Sequence, residues 1–267
     1  MDLSQKNALL RENIAEKGSM LVAYSGGVDS GLLAFLAHDI LKERSSCVFL
    51  DSPLVPREAV RQAKEIAVAL GLTLEMILVP HLESGTFRSN PPDRCYHCRK
   101  LSSGVLKKRA GELNLSCVTD GVNASDTGEH RPGIRASDEE GIVHPFIEAG
   151  ITKADIRAIA REYNLPFWDK PSAACLSSRV PYGEEITEGK LRMIEGAEDY
   201  LRQLGIRQLR VRLHNGIARI EADPQGLSVI FSRREKVAET LKRIGFSYVT
   251  LDCEGYRSGS MDEVLEN

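Results

Sequence analysis

Three groups of residues have the types and spacing to do chemistry. The first is Ser25-Gly-Gly-Val-Asp-Ser30, which follows an apolar run and opens a helical pattern. Two glycines let backbone approach an anion, and serine hydroxyls and helix N-terminal amides donate to its oxygens. The Lys-Ser/Thr ending of a Walker A loop is absent, which disfavours ordinary γ-phosphate transfer. The candidate anion contacts are therefore Ser25, Gly26, Gly27, Asp29 and Ser30. Asp51 with Ser52, and Asp120-Gly-Val-Asn123 with Asp126, end two later strands. Asp51 is a candidate for adenine or ribose, and Asp126 for magnesium, although Asp and Asn also initiate turns.

The second group is sulfur. Cys47, Cys117 and Cys253 lie in apolar or alternating stretches and read as small core residues. Cys95 and Cys98 form a C-x-x-C pair in Asn90-Pro-Pro-Asp-Arg-Cys-Tyr-His-Cys-Arg-Lys100, and Cys175 lies in Pro171-Ser-Ala-Ala-Cys-Leu-Ser-Ser-Arg179. Helix amides and neighbouring Arg94 and Arg99 favour thiolates at the pair. Three thiolates suit a four-iron cluster with one open iron. The same residues also fit a reactive dithiol or persulfide, a zinc site completed by His97, or a structural role.

The third group is a charged hairpin. Asn215-Gly216 is a two-residue turn signal, and counting outward sets Arg212 opposite Arg219 and Arg210 opposite Glu221. The second pair reads as a cross-strand ion pair. The first repels itself unless an anion or an acid intervenes, so a phosphate is a candidate occupant.

These groups need elements to hold them. Apolar spacing predicts helices over 4–17, 31–44, 57–70, 96–113 and 152–163, with strands over 20–24, 47–50, 73–79 and 116–119 between them. Such alternation predicts an α/β fold, a parallel sheet with ligands at the carboxyl ends of its strands. From about 186 the pattern becomes helix (187–203), hairpin (209–214 and 217–222), helix (234–244) and strand (248–253). That pattern predicts a small α+β domain. Pro181 and Gly183 mark the expected boundary, giving domains 1–183 and 184–267.

SGGVDS resembles the PP-loop of the adenine nucleotide α-hydrolase superfamily, which implies a loop gripping pyrophosphate, with Asp29 near phosphate or magnesium. The PP-loop, NPPDRCYHC, DGVNASD followed by Arg131-Pro-Gly133, and PSAACLSSR come in the order and spacing of the LarE family, over nearly the whole chain. The resemblance implies an enzyme that adenylates a carboxylate of a pyridinium nucleotide, forming AMP and pyrophosphate. It then inserts sulfur on the way to the nickel-pincer nucleotide cofactor. It implies ATP and Mg2+ as cofactors, Cys175 and Asp29 as catalytic residues, and Ser178, Arg179, Arg210 and Arg212 as substrate contacts. One LarE branch sacrifices the sulfur matching Cys175. The added Cys95 and Cys98 resemble the branch whose three cysteines hold a [4Fe-4S] cluster, implying hydrosulfide as the sulfur source. A homo-oligomer is also implied.

Composition sets the remaining bounds. With 35 Lys and Arg against 38 Asp and Glu, the net charge of −3 gives no global field for a polyanion. The runner-up, a PP-loop tRNA thiolase, needs a broad basic surface, and nucleic acid is not an expected partner. An amidating PP-loop ligase is the third reading. No apolar run reaches membrane-spanning length, and residues 1–18 lack a secretory pattern, so a cytoplasmic protein is expected.

Overall fold

The computed structural model describes residues 1–127, 132–170, 174–257 and 259–263. Arg131, and Pro171, Ser172 and Ala173 of the PSAACLSSR segment, lie outside the described residues. By compactness, Met1–His81 and Asp93–Ala173 form one unit, and Leu82–Pro92 and Ala174–Asn267 a second.

The first unit is built on strands β1 (Met20–Ala23), β2 (Ser45–Asp51), β3 (Leu74–Leu78) and β4 (Val118–Thr119), all parallel, in the order β3-β2-β1-β4. Side chains alternate across a strand, so both faces must be apolar to be covered by helices. Met20, Val22, Cys47 and Phe49 pack on one face with Leu32, Leu33, Leu36, Ile156 and Ile159. Leu21 and Val48 pack on the other with Leu106 and Ala110. Burial pushes the Cys47 thiol up to about 12, as for an inert core cysteine. The helix after β1 runs Val28–Leu41, opening three residues earlier than its apolar spacing indicates. That places Asp29 and Ser30 inside its first turn. Pro132–Glu139 and Pro145–Glu148 are further short helices without a long periodic pattern to announce them.

The second unit holds an antiparallel hairpin of β5 (Leu209–His214) and β6 (Ile217–Ala222), with β7 (Tyr248–Leu251) parallel to β6. Asn215 and Gly216 both have positive φ (46° and 85°), as the two-residue turn requires. Its register pairs Arg212 with Arg219 and Arg210 with Glu221, as counted from the turn. Helices Pro224–Ser232 and Arg234–Ile244 carry the crossover to β7. Asn90 fastens the 82–92 segment to this unit, its side-chain amide donating to the carbonyls of Val180 (3.2 Å) and Pro181 (2.6 Å). One of the expected core cysteines is not core: Cys253 is exposed because β7 ends at Leu251 and a turn follows, whereas Cys117, just before β4, is half-buried and packs against the core as expected. Among the described residues no helix is long and apolar enough to cross a membrane.

Candidate active site

The anion loop lies at the carboxyl end of β1. Gly26 has φ of +71°, and a Cβ there would lie 2.6 Å from the Ala63 Cβ, so only glycine fits this turn. The Ser30 hydroxyl oxygen accepts from the Ser25 amide (3.0 Å) and lies 2.9 Å from the Ser25 hydroxyl, which closes the loop on itself. Gly27 caps the helix with no side chain of its own. The loop thus presents backbone and hydroxyl groups with one acid, Asp29. Lys153 Nζ donates to that carboxylate (Oδ1, 2.7 Å), and Lys170 Nζ donates to the Gly26 carbonyl (2.9 Å).

Asp51 ends β2 as expected and forms an ion pair with Arg57 (2.7 Å), whose guanidinium also donates to the Ser52 carbonyl at 2.6 Å. Asp126 closes a turn, its Oδ2 accepting from the Asn123 amide (3.1 Å) and side chain (2.7 Å). Asp120 is buried, 2.6 Å from His144 Nδ1 and 3.2 Å from Arg99. Burial opposes its ionisation, but the His144 hydrogen bond and Arg99 prevail and hold its carboxyl below the usual range. Burial likewise opposes charge on His144, and the bonds to Asp120 and Asp138 raise its pKa nonetheless.

Cys95 and Cys98 stand about one turn apart at the start of the helix Arg94–Glu112, which carries Arg99. Cys175 is exposed in the second unit, at the N-terminal end of the 3-10 turn Leu176–Arg179, with its Sγ 2.9 Å from the Ser177 hydroxyl. Among the described residues no three His, Cys, Asp or Glu side chains gather into a group able to hold a metal ion.

The residues around Cys175 are organised by buried charge. Arg179, 1% exposed, donates to the carbonyls of Ala174 (3.1 Å) and Cys175 (2.9 Å) and to the Ser178 hydroxyl (2.9 Å). Its other edge meets the fully buried Glu198 in a two-pronged pair at 2.9 and 3.2 Å. Glu198 also accepts from Arg202 (2.7 Å) and the Val211 amide (3.2 Å). Burial opposes its charge, and Arg179 and Arg202 hold its carboxyl below the usual range.

Arg212 makes a second two-pronged pair, with the fully buried Glu221 (3.0 and 2.9 Å), and donates to the Ser178 carbonyl at 3.0 Å. Arg219 joins the same carboxylate at 2.9 Å. The acid that intervenes between the two opposed arginines is Glu221, two residues along β6 from Arg219 and on the same face. Arg210, expected to pair with Glu221, instead stacks on Tyr256 (5.2 Å) and donates to the Leu209 carbonyl. Among the described residues it has no ion-pair carboxylate. Burial and the Arg179 charge push its pKa down.

Sequence reasoning missed Lys153, Lys170, His144, Glu198 and the clamp role of Glu221. Glu198 had a signal. It lies four residues after Ile194 and three before Leu201, on the apolar stripe, where a charge is kept only if paired.

A parallel α/β unit with a glycine-serine anion loop after its first strand, followed by a small mixed-sheet domain, defines a PP-loop protein. The pattern of the NAD synthase family matches residues 3–110. An uncharacterized protein of Synechocystis is 40% identical over 265 residues, covering 98% of this chain and 99% of that protein. The pyridinium-3,5-bisthiocarboxylic acid mononucleotide synthase of Lactiplantibacillus plantarum is 34% identical over 264 residues (98% and 96%). An uncharacterized protein of Methanocaldococcus jannaschii is 34% identical over 252 residues (93% and 96%). The chain belongs to the LarE family of ATP-dependent sulfur-inserting enzymes.

Proposed function

We propose that this protein activates a carboxylate of a pyridinium mononucleotide with ATP and inserts sulfur, as a step toward the nickel-pincer nucleotide cofactor. The observation that carries the reading is the anion loop 25–30, built with no P-loop lysine, in a chain that aligns from end to end with a thiocarboxylate-forming synthase. The chemistry has two displacements. A substrate carboxylate oxygen attacks the α-phosphorus, and pyrophosphate leaves into the loop. Hydrosulfide then adds to the acyl carbon, AMP leaves and a proton is lost, which yields the thiocarboxylate; attack by the Cys175 thiolate instead gives a thioester, and its Cβ–S bond must break by elimination to release the thiocarboxylate and leave dehydroalanine.

Asp29 and Asp126 are hard oxygen donors of the kind Mg2+ takes with nucleotide phosphates, and Asp51 is suited to the nucleoside. Cys175 is the residue proposed for the sulfur step, a reading supported by its exposure and by the Arg179 hydrogen bond to its own carbonyl. Ser178, Arg210 and Arg212 are the proposed substrate contacts. Arg210 carries the charge least compensated by acids, whereas Arg212 acts with its carboxylate attached. The finer reading, a [4Fe-4S] cluster on Cys95, Cys98 and Cys175, rests on the donor chemistry. Two cysteines share a helix turn beside Arg94 and Arg99, and three thiolates would leave one iron open to sulfide. A homo-oligomer belongs to the same reading.

The test is anaerobic purification with iron and sulfide analysis, followed by a count of thiocarboxylates formed per chain and the mass of the spent protein. Several sulfurs per chain with Cys175 intact, lost in Cys95→Ala and Cys98→Ala, support the cluster. One sulfur per chain with dehydroalanine at 175 overturns the cluster and keeps the function.

A further inference from the structure

The loop has a charge deficit. Its one ionic side chain is the acid Asp29, and a triphosphate arriving there needs positive charge that the loop does not contain. Lys153 is already committed to Asp29 and leaves that pair close to neutral. Lys170 is different. Its ammonium is half-buried and donates to the Gly26 carbonyl, while among the described residues no carboxylate lies within ion-pair distance. An ammonium has three donors, and burying it without a counter-ion is costly. Burial pushes its pKa below the ordinary lysine value, against the more distant charge of Glu58.

The approach is built into the fold. Phe167 is buried against the loop's own helix at Gly31, where a Cβ would lie 2.8 Å from the ring. The turn 167–170 closes with the Lys170 amide donating to the Phe167 carbonyl at 3.0 Å. Seating Phe167 on Gly31 thus delivers Lys170 to the rim of the loop.

We propose that Lys170, held at the Gly26 carbonyl, is the cation that binds the pyrophosphate portion of ATP and holds it as pyrophosphate leaves, the Lys153 charge being taken up by Asp29. The assignment rests on the ATP-dependent reading above. Binding of inorganic pyrophosphate, ATP and AMP, measured by calorimetry, separates the two. In Lys170→Gln, pyrophosphate and ATP should bind about 10- to 100-fold more weakly, the loss of a charge-assisted hydrogen bond, while AMP is unchanged. Lys170→Arg should recover most of that affinity. A Lys170→Gln protein that binds pyrophosphate like wild type, or that loses AMP in parallel, overturns the assignment, and so does equal loss in Lys170→Arg. Wild-type protein that binds neither ATP nor pyrophosphate would overturn the ATP reading and this assignment with it.

Discussion

The loop 25–30 and the cluster around Cys175 are both polar, yet they manage charge in opposite ways. In the loop, small residues bring backbone and hydroxyl donors to one place, and the cationic groups arrive from distant segments at its edge. In the second unit, guanidinium groups are buried and matched by carboxylates within the unit: Arg179 by Glu198, and Arg212 by Glu221. The first region suits the anion-binding role proposed for it. The second spends its charge on holding a loop, since both Arg179 and Arg212 donate to carbonyls of the 174–178 segment. An arginine in a site is therefore not automatically a ligand for substrate. Its carboxylate partner decides what it does.

The strongest way to break this contrast is to remove a buried carboxylate. Glu198→Ala leaves Arg179 buried without its partner, which should cost about 3–5 kcal/mol of stability in urea unfolding. Sulfur transfer should fall with it, because the Cys175 carbonyl loses its clamp. An unfolding midpoint near that of wild type would mean that the pair does not organise the segment. Gly26→Ala is the corresponding change in the loop. Left-handed strain and the contact with Ala63 together should cost about 2–4 kcal/mol and abolish ATP binding, with Cys175 reactivity toward a thiol reagent unchanged.

The smallest effect concerns pH. The raised pKa of His144 stabilises the fold below the ordinary imidazole value, and that contribution is lost as pH rises through its folded value. The lowered pKa of Asp120 acts in the other sense, stabilising above the ordinary carboxylate value and lost as pH falls through the folded one. Stability of the first unit should decline on both sides of a plateau. His144→Asn should flatten the decline above neutral pH, and an unchanged alkaline limb would contradict the charge assigned to that pair.

How much of this was legible follows from where each feature's cause lies. The parallel sheet, the anion loop and the hairpin register have local causes, namely apolar strands, glycines at a strand end, and Asn-Gly between alternating runs. Each reads directly from neighbouring residues. Asn90 holding the carbonyls of Val180 and Pro181, Lys170 on Gly26, and Glu198 on Arg179 join residues far apart in the chain, where no periodicity links the partners. The hairpin shows the division within one element. Counting from the turn set Arg212 opposite Arg219, but which acid would settle between them depended on side-chain reach across the register, and Glu221 left Arg210 for the other two arginines.

In the proposed reaction, pyrophosphate leaves into the loop, and the activated carboxylate then exchanges oxygen for sulfur. Incubating the protein with ATP, Mg2+, sulfide and the pyridinium dicarboxylate mononucleotide, then quantifying phosphates and thiocarboxylate together, tests it most directly. We expect one AMP and one pyrophosphate for each thiocarboxylate, with both lost in Asp29→Asn. Formation of ADP, or of AMP without any thiocarboxylate, would contradict it.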